Sequence, residues 1–291
     1  MRSARVVAVC GPTASGKSEV ADELSALLTE AEGVWVPTVV VDSMQVYREI
    51  PEITNQARSR PAELVGVVPV TREWTVAEHR RRARAAIEGS GAGAAVLDAG
   101  TGMYLNATVL DIPLAPKVPR EIRALAQRAA AGAANPRREA RRLELELYGA
   151  PERGSIWEGE PAYELALIYL RPERASLDEA IARRSSRIAR RGLADARRLQ
   201  DLLEAGARVN PSVLGSIGVR ELLSHLRGEI SLPEAEEAIS VRTRHLARRQ
   251  MRWFDKLART LSGRARLVVS PSPEDPALRK ALHSMHDIIG A

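Results

Sequence analysis

The sequence predicts an α/β fold, a doubly wound parallel sheet carrying a small, shortened helical insertion, and three observations predict it. Short continuous apolar runs at residues 6–10, 38–41 and 94–97 each lead into a glycine or an aspartate, as parallel strands buried on both faces do. Segments with helical spacing alternate with these runs. A glycine-rich turn joins the first run to the first helix.

Taken in order, residues 6–10 read as a central strand. Val20, Leu24, Leu27 and Leu28 then recur at helical spacing until Gly33 stops the helix. The second strand ends at Asp42 and the third at Asp98, just before a glycine turn. Between them Thr75 caps a helix with Glu78 three residues on, which places residues 76–88 on a helix. Residues 114–161 change character, with Pro116, Pro119, an alanine- and arginine-rich stretch and a loop at residues 149–154. They are read as a reduced helical insertion, so residues 1–113 and 162–291 form the core with its C-terminal helices. Residues 162–170 return to strand composition. Ser176 with Glu179 makes a second capping box, opening a helix that runs to Gly192, and another begins at about Leu193. The chain is read as helical to about Leu261, and residues 266–270 supply a last strand.

At 291 residues the chain can bury a sizeable core, and 45% hydrophobic with 27% charged residues is ordinary for a globular protein. Aromatic residues make up only 3%, so packing leans on Leu, Ile, Val and Ala. A formal charge of +6 and a pI near 9.9 suit a polyanionic partner such as nucleic acid, although excess base also serves solubility. Only four of the 43 basic residues are lysine, a bias of composition that gives no single arginine a meaning. The sole cysteine, Cys10, excludes an internal disulfide and a cysteine-based zinc site. Near the N-terminus Arg2 and Arg5 precede an apolar run of five residues that leads into a glycine loop and not a cleavage site. No stretch approaches the roughly 18 to 20 apolar residues of a membrane span. A cytoplasmic protein with no membrane contact is expected, acting as a monomer.

Gly11-Pro-Thr-Ala-Ser-Gly-Lys-Ser18 matches G-x-x-x-x-G-K-[ST] between a buried strand and a helix, the context of a phosphate-binding loop and of a P-loop NTPase-like core. Its glycines let backbone N–H groups curl around phosphate oxygens, Lys17 neutralises the outer phosphate, and Ser18 can ligate magnesium. Asp42, at the start of Asp42-Ser-Met-Gln-Val-Tyr47, lies across the switch point, where it could hold magnesium through water, accept a proton from a nucleophile, or simply cap the next turn. Gly100-Thr-Gly102 allows close backbone approach to a ligand, with Thr101 a donor to phosphate. Asp98 before it also fits the magnesium carboxylate of a nucleotide kinase. On a helix through residues 239–261, Ile239, Leu246, Trp253, Leu257 and Leu261 share one face, and Arg244, Arg248 and Arg252 lie on the other. These guanidiniums suit a diphosphate or an RNA backbone, or form a solvated face. Thr243 and Gln250 point towards the apolar side and are expected to make specific hydrogen bonds. Arg183, Arg184, Arg187, Arg190 and Arg191 crowd the helix before Gly192, as a substrate path, a kinase-like lid or a solvated basic face.

Five motifs follow in order: the loop at residues 11–18, Asp42-Ser-Met-Gln-Val-Tyr-Arg48, Gly100-Thr-Gly-Met-Tyr104, Ile217-Gly-Val-Arg-Glu-Leu222, and Arg242-Thr-Arg-His-Leu-Ala-Arg-Arg-Gln-Met-Arg-Trp-Phe254. Together they resemble the tRNA dimethylallyltransferase family, over residues 5–113 and 163–257. The resemblance implies transfer of a dimethylallyl group from its diphosphate to the exocyclic amine of the adenosine beside the tRNA anticodon. It implies that Gly11, Thr13, Ala14, Ser15, Gly16, Lys17, Ser18 and Arg244 bind the diphosphate, with magnesium on Ser18. It further implies that Asp42 is the general base, with Lys17 and Thr101 catalytic. Asp42, Ser43, Met44, Gln45, Thr101, Arg248 and Gln250 would meet the adenosine or the tRNA anticodon stem-loop. The sequence departs from the family in places: Gln56 stands where lysine is usual, residues 66–71 replace a Pro-His-His segment, and the shortened insertion lacks the usual Asp-x-x-Arg-Ile segment.

Three other readings stay open. An adenylate isopentenyltransferase would use the same chemistry on a free adenine nucleotide. A small-molecule kinase would use Asp98 for magnesium and the 183–191 arginines as a lid. A silent paralogue would bind without turnover.

Overall fold

A computed structural model describes residues 4–150 and 154–284, in two compact units, residues 4–110 with 161–284, and residues 111–150 with 154–160. The first unit is built on a six-stranded, all-parallel sheet. In chain order it holds β1 (Arg5–Cys10), α1 (Lys17–Glu32), β2 (Thr38–Val41), α2 (Pro51–Thr54), β3 (Ala62–Glu63), α3 (Val76–Glu88), β4 (Ala94–Ala99) and α4 (Gly102–Val109). The second unit contributes α5 (Arg120–Ala129) and α6 (Pro136–Leu147). The chain then returns with β5 (Glu164–Leu170), α7 (Arg174–Arg191), α8 (Leu193–Glu204), α9 (Pro211–Leu214), α10 (Val219–Leu226), α11 (Leu232–Leu261), β6 (Arg266–Ser270) and α12 (Pro276–His283). Spatial order across the sheet is β3-β2-β4-β1-β5-β6.

Alternation along the strands decides what each face meets. Val7, Val9, Val96, Ile168 and Leu170 pack with Val20, Leu24 and Leu28 of α1 and with Leu278 and Leu282 of α12. Tyr169, one residue out of phase, points the other way, where its ring lies 5.9 Å from that of Phe254 on α11 and its hydroxyl bonds Asp255 at 3.0 Å. Asp98 shares the parity of Ala94 and Val96. It therefore faces α1 from a fully buried position in the strand. A second apolar cluster gathers Tyr47, Ile50, Ile53, Trp74, Ile188, Leu199, Val213, Leu222 and Ile239, joining the segment after β2 to the helices α7 to α11.

The doubly wound sheet is as predicted, with several local differences. α7 starts at Arg174 with Glu173 at its N-cap, so Ser176 lies inside the first turn and its capping box with Glu179 does not form the helix start. On α11 the buried stripe is Ile239, Thr243, Ala247, Phe254, Leu257 and Leu261, whereas Leu246 and Trp253 are half-buried. Phe254 takes the place expected for Trp253, being in helical phase with Thr243, Ala247, Leu257 and Leu261, and the Trp253 indole donates from Nε1 to Asn106 Oδ1 at 3.1 Å. Residues 151–153 of the expected loop at 149–154 lie outside the described residues.

Candidate functional site

The phosphate loop joins β1 to α1 through two left-handed residues, Ala14 at φ 66° and Gly16 at φ 80°. Its neighbours leave no room for side chains. A Cβ on Gly11 would sit 2.7 Å from the carbonyl of Leu170 at the end of β5, and one on Gly16 would sit 2.5 Å from Pro273 after β6. Among the described residues no hydrogen bond uses the N–H of Ala14, Ser15 or Gly16, and the buried Ser15 hydroxyl has no partner. Convergent donors of this kind at a helix start are suited to an anion. Lys17, on the first turn of α1, is buried at 8% exposure.

Across the strand ends, Lys17 and Asp42 meet at Gly100. A Cβ there would lie 2.7 Å from Asp42 Oδ2 and 3.4 Å from Lys17 Cε. Asp42 Oδ1 accepts from the N–H of Met44 at 2.7 Å and of Gln45 at 3.2 Å, so the capping role and the open carboxylate coexist on one side chain. Its Oδ2 lies 3.5 Å from the Thr101 hydroxyl, whose oxygen accepts from the N–H of Ser43 at 3.1 Å. Thr101 therefore fixes the segment that carries Asp42. Met44 packs against the second apolar cluster, and Gln45 is buried with its Oε1 unpartnered.

Gln250 is occupied by the protein itself. Its Oε1 accepts from the N–H of Thr13 at 2.9 Å and its Nε2 donates to the carbonyl of Gly100 at 2.7 Å. This bridge ties α11 to the phosphate loop and to the β4 turn, which is a different use from the adenosine contact expected of Gln250. Arg244 and Arg248 are not brought to the loop by any described bond. Arg244 lies 3.8 Å from Glu237, and Arg248 is exposed.

Arg184, left undistinguished within its basic cluster by the sequence, is a half-buried residue within electrostatic reach of Asp42 and Asp98. It sits on α7 between the buried positions Ile181 and Ile188, beside the small cluster of Leu177, Ile181 and Ala247 that packs on Ala14 of the loop. Burial, and to a lesser degree Arg187, pulls its pKa down to about 10, while Asp42, Glu19 and Asp98 hold it up. At neutral pH it is a charged guanidinium with no described hydrogen bond or ion pair of its own. The helical phase of residues 177, 181, 185 and 188 was the signal that could have singled it out.

Behind the loop lies a cluster the sequence did not reveal. The Ser18 hydroxyl donates to Asp98 Oδ2 at 2.7 Å, and Arg58 Nη1 donates to the same oxygen at 2.6 Å. Arg58 also donates to Asp22 Oδ1 through Nη2 at 2.5 Å, and Asp22 Oδ2 accepts from the N–H and hydroxyl of Ser59. Burial works against the charge of Arg58, but the two carboxylates outweigh it and hold the guanidinium above its ordinary range.

A glycine-cradled loop, a buried lysine and a carboxylate facing them across the strand ends, all on a parallel sheet, define a P-loop NTPase-like protein. Residues 45–257 match the sequence model of the IPP transferase family, and the chain belongs to that family. It is 34% identical over 278 residues to a tRNA dimethylallyltransferase of Thermobifida fusca, covering 86% of each chain. It is 32% identical over 283 residues to tRNA dimethylallyltransferase 1 of Citrifermentans bemidjiense, covering 87% of this chain and 89% of that one. Among solved structures it shares its fold with the full-length tRNA isopentenylpyrophosphate transferase of Bacillus halodurans, at TM-score 0.66 and 23% identity over 98% of this chain and 95% of that one. A eukaryotic dimethylallyltransferase described as acting on tRNA matches at TM-score 0.74 and 21% identity, over 98% of this chain and 80% of that one. Among the described residues no helix is long and apolar enough to cross a membrane.

Proposed function

We propose that this chain transfers a dimethylallyl group from dimethylallyl diphosphate to the exocyclic amine of the adenosine beside the tRNA anticodon, as a cytoplasmic monomer. The observation that carries the reading is the meeting of Asp42 Oδ2 and Lys17 at Gly100, 2.7 Å and 3.4 Å (to Lys17 Cε) from the position a Cβ there would take, a carboxylate beside an anion cradle. The diphosphate sits in the loop, against the N–H groups of residues 14–16, Ser15, Lys17 and Arg184. The amine nitrogen attacks the allylic carbon, the carbon–oxygen bond breaks, and diphosphate departs with the electron pair. Asp42 takes the proton the amine loses. Because negative charge grows on the departing oxygen, donors already fixed around it stabilise the transition state more than the ground state. The names of the relatives, and their match along most of both chains, support tRNA as acceptor.

Magnesium fits the residues present. Asp98 Oδ1 is buried and unpartnered, and the Ser18 hydroxyl beside it is a hard oxygen donor. Ser18 would hold the ion, with Asp98 behind it, and the ion would supply further neutralisation of the diphosphate.

Labelled dimethylallyl diphosphate, offered with an anticodon stem-loop, with AMP or with neither, tests the proposal. A mass gain on the stem-loop adenosine supports it; label on AMP alone turns the reading to an adenylate isopentenyltransferase. Phosphoryl transfer from ATP with no prenyl turnover would turn it to a kinase.

A further inference from the structure

Asp22 and Asp98 stand on α1 and β4, joined through Arg58, with the Ser18 hydroxyl bonded to Asp98, a hard-oxygen set of the kind divalent cations take. Ions can reach it. An open cavity of about 420 Å³, lined by Ser18, Glu19, Asp22, Glu23 and Arg58 among others, brings solvent to the edge of the cluster. The guanidinium of Arg58 nevertheless fills the space between the carboxylates, with its own side chain and that of Asp22 only 5% exposed. It bonds both, and it reaches the Ser18 carbonyl at 3.5 Å. Two carboxylates against one guanidinium leave a single net negative charge, already engaged in short charge-assisted bonds.

We propose that Arg58 is a resident cation that closes Asp22 and Asp98 to free divalent ions, so that a metal is held beside the phosphate loop only when a diphosphate arrives with it. A free ion must displace the guanidinium or share a carboxylate with it, against like-charge repulsion across a few ångströms in a site nearly closed to water. A diphosphate changes the balance by adding its own oxygens and negative charge on the open side of Ser18. Arg58 thus acts through Asp98 and Ser18, as a positioning residue. The second half of this inference rests on the reading of the loop as a diphosphate site; the first half does not.

The test is titration of the full chain with manganese, followed by loss of the free-ion electron paramagnetic resonance signal, with and without inorganic pyrophosphate, each pyrophosphate series read against the same series without protein because pyrophosphate itself binds manganese. Wild type is expected to bind manganese at least ten-fold more weakly alone than with pyrophosphate. The double variant Asp22→Asn/Arg58→Gln removes one buried charge of each sign, so it preserves the net charge of the cluster. It is expected to bind manganese alone at least ten-fold more tightly than wild type, and adding Asp98→Asn should abolish that gain. Wild type that binds manganese alone as tightly as with pyrophosphate, through a site lost in Asp98→Asn, overturns the proposal without recourse to the double variant. A folded double variant with wild-type affinity for manganese alone overturns it too. Should pyrophosphate fail to bind at all, the diphosphate reading falls, and the manganese-alone comparison still decides the role of Arg58.

Discussion

Alanine at Gly100 isolates the placement of Asp42 from everything else in the site. Gly100 is not among the residues with positive φ, so its backbone accepts alanine without strain. The new Cβ would lie 2.7 Å from Asp42 Oδ2, where an unstrained carbon–oxygen contact is about 3.4 Å, so the oxygen must retreat by about 0.7 Å. It cannot do so by free rotation, because the N–H groups of Met44 and Gln45 hold the other oxygen. Lys17 Cε, at 3.4 Å from the new methyl, is in ordinary contact and stays. A shift approaching 1 Å at a reacting group costs about 10²-fold, so Gly100→Ala should lower kcat by about 10- to 100-fold, or roughly 1.4–2.7 kcal/mol of activation free energy. Pyrophosphate affinity and thermal midpoint should change little. The assay is single-turnover prenyl transfer with pyrophosphate binding measured in parallel, in wild type, Gly100→Ala, Asp42→Asn and the double variant. Because the methyl acts through the carboxylate, it should slow Asp42→Asn far less than it slows wild type. Equal slowing in both backgrounds, or an unimpaired Gly100→Ala, would refute the reasoning.

Asp42→Asn keeps the acceptor for Met44 and Gln45 but removes the base; turnover should fall by about 10²-fold or more, with the urea midpoint unchanged. Arg184→Ala should weaken pyrophosphate binding by about 10- to 100-fold in calorimetry, the worth of a charge-assisted hydrogen bond, without loss of stability, since no described bond is broken. Gln250→Ala removes both bonds of the bridge and should lower unfolding free energy by about 1–3 kcal/mol in urea; Gln250→Glu should not rescue it, because its carboxylate would confront the Gly100 carbonyl. Burial pulls the pKa of His79 from 6.5 to about 4, so the unfolded chain binds the extra proton between those values. Stability should therefore rise with pH through that window, by on the order of 3 kcal/mol, and urea melts of His79→Gln should show a flatter slope there.

What the sequence made legible follows from what leaves a local trace. β1, β2 and β4 sit in the middle of a parallel sheet, covered on both faces, and their uninterrupted apolar runs say so. The loop and Asp42 were legible as candidates because ligands of such sheets bind beyond the strand ends. α2 and β3, of four and two residues, are too short for any periodicity to register. Arg58 joins partners 36 and 40 positions away, and no spacing rule connects them. Gln250 was visible as a polar residue on a buried face, but its partners, 237 and 150 positions distant, depend on the fold being complete. Arg244 illustrates the converse, a regular spacing that no described bond ties to the loop.

The structure also separates two carboxylates that the sequence places near strand ends beside the phosphate loop, Asp42 and Asp98. A base for an incoming nucleophile must present an oxygen on the open side of the sheet edge. Asp42 is half-buried, braced through one oxygen by backbone N–H groups, with the other beside Gly100 and Thr101. Asp98, by strand parity, turns towards α1 and is locked between Ser18 and Arg58 with almost no exposed surface. A proton acceptor there would be unreachable by any nucleophile approaching over the loop, and its charge is spent on holding Ser18 and the guanidinium. In the function we propose, the division of labour follows from which way each side chain turns: Asp42 towards the reacting groups, Asp98 towards the frame that positions the anion cradle.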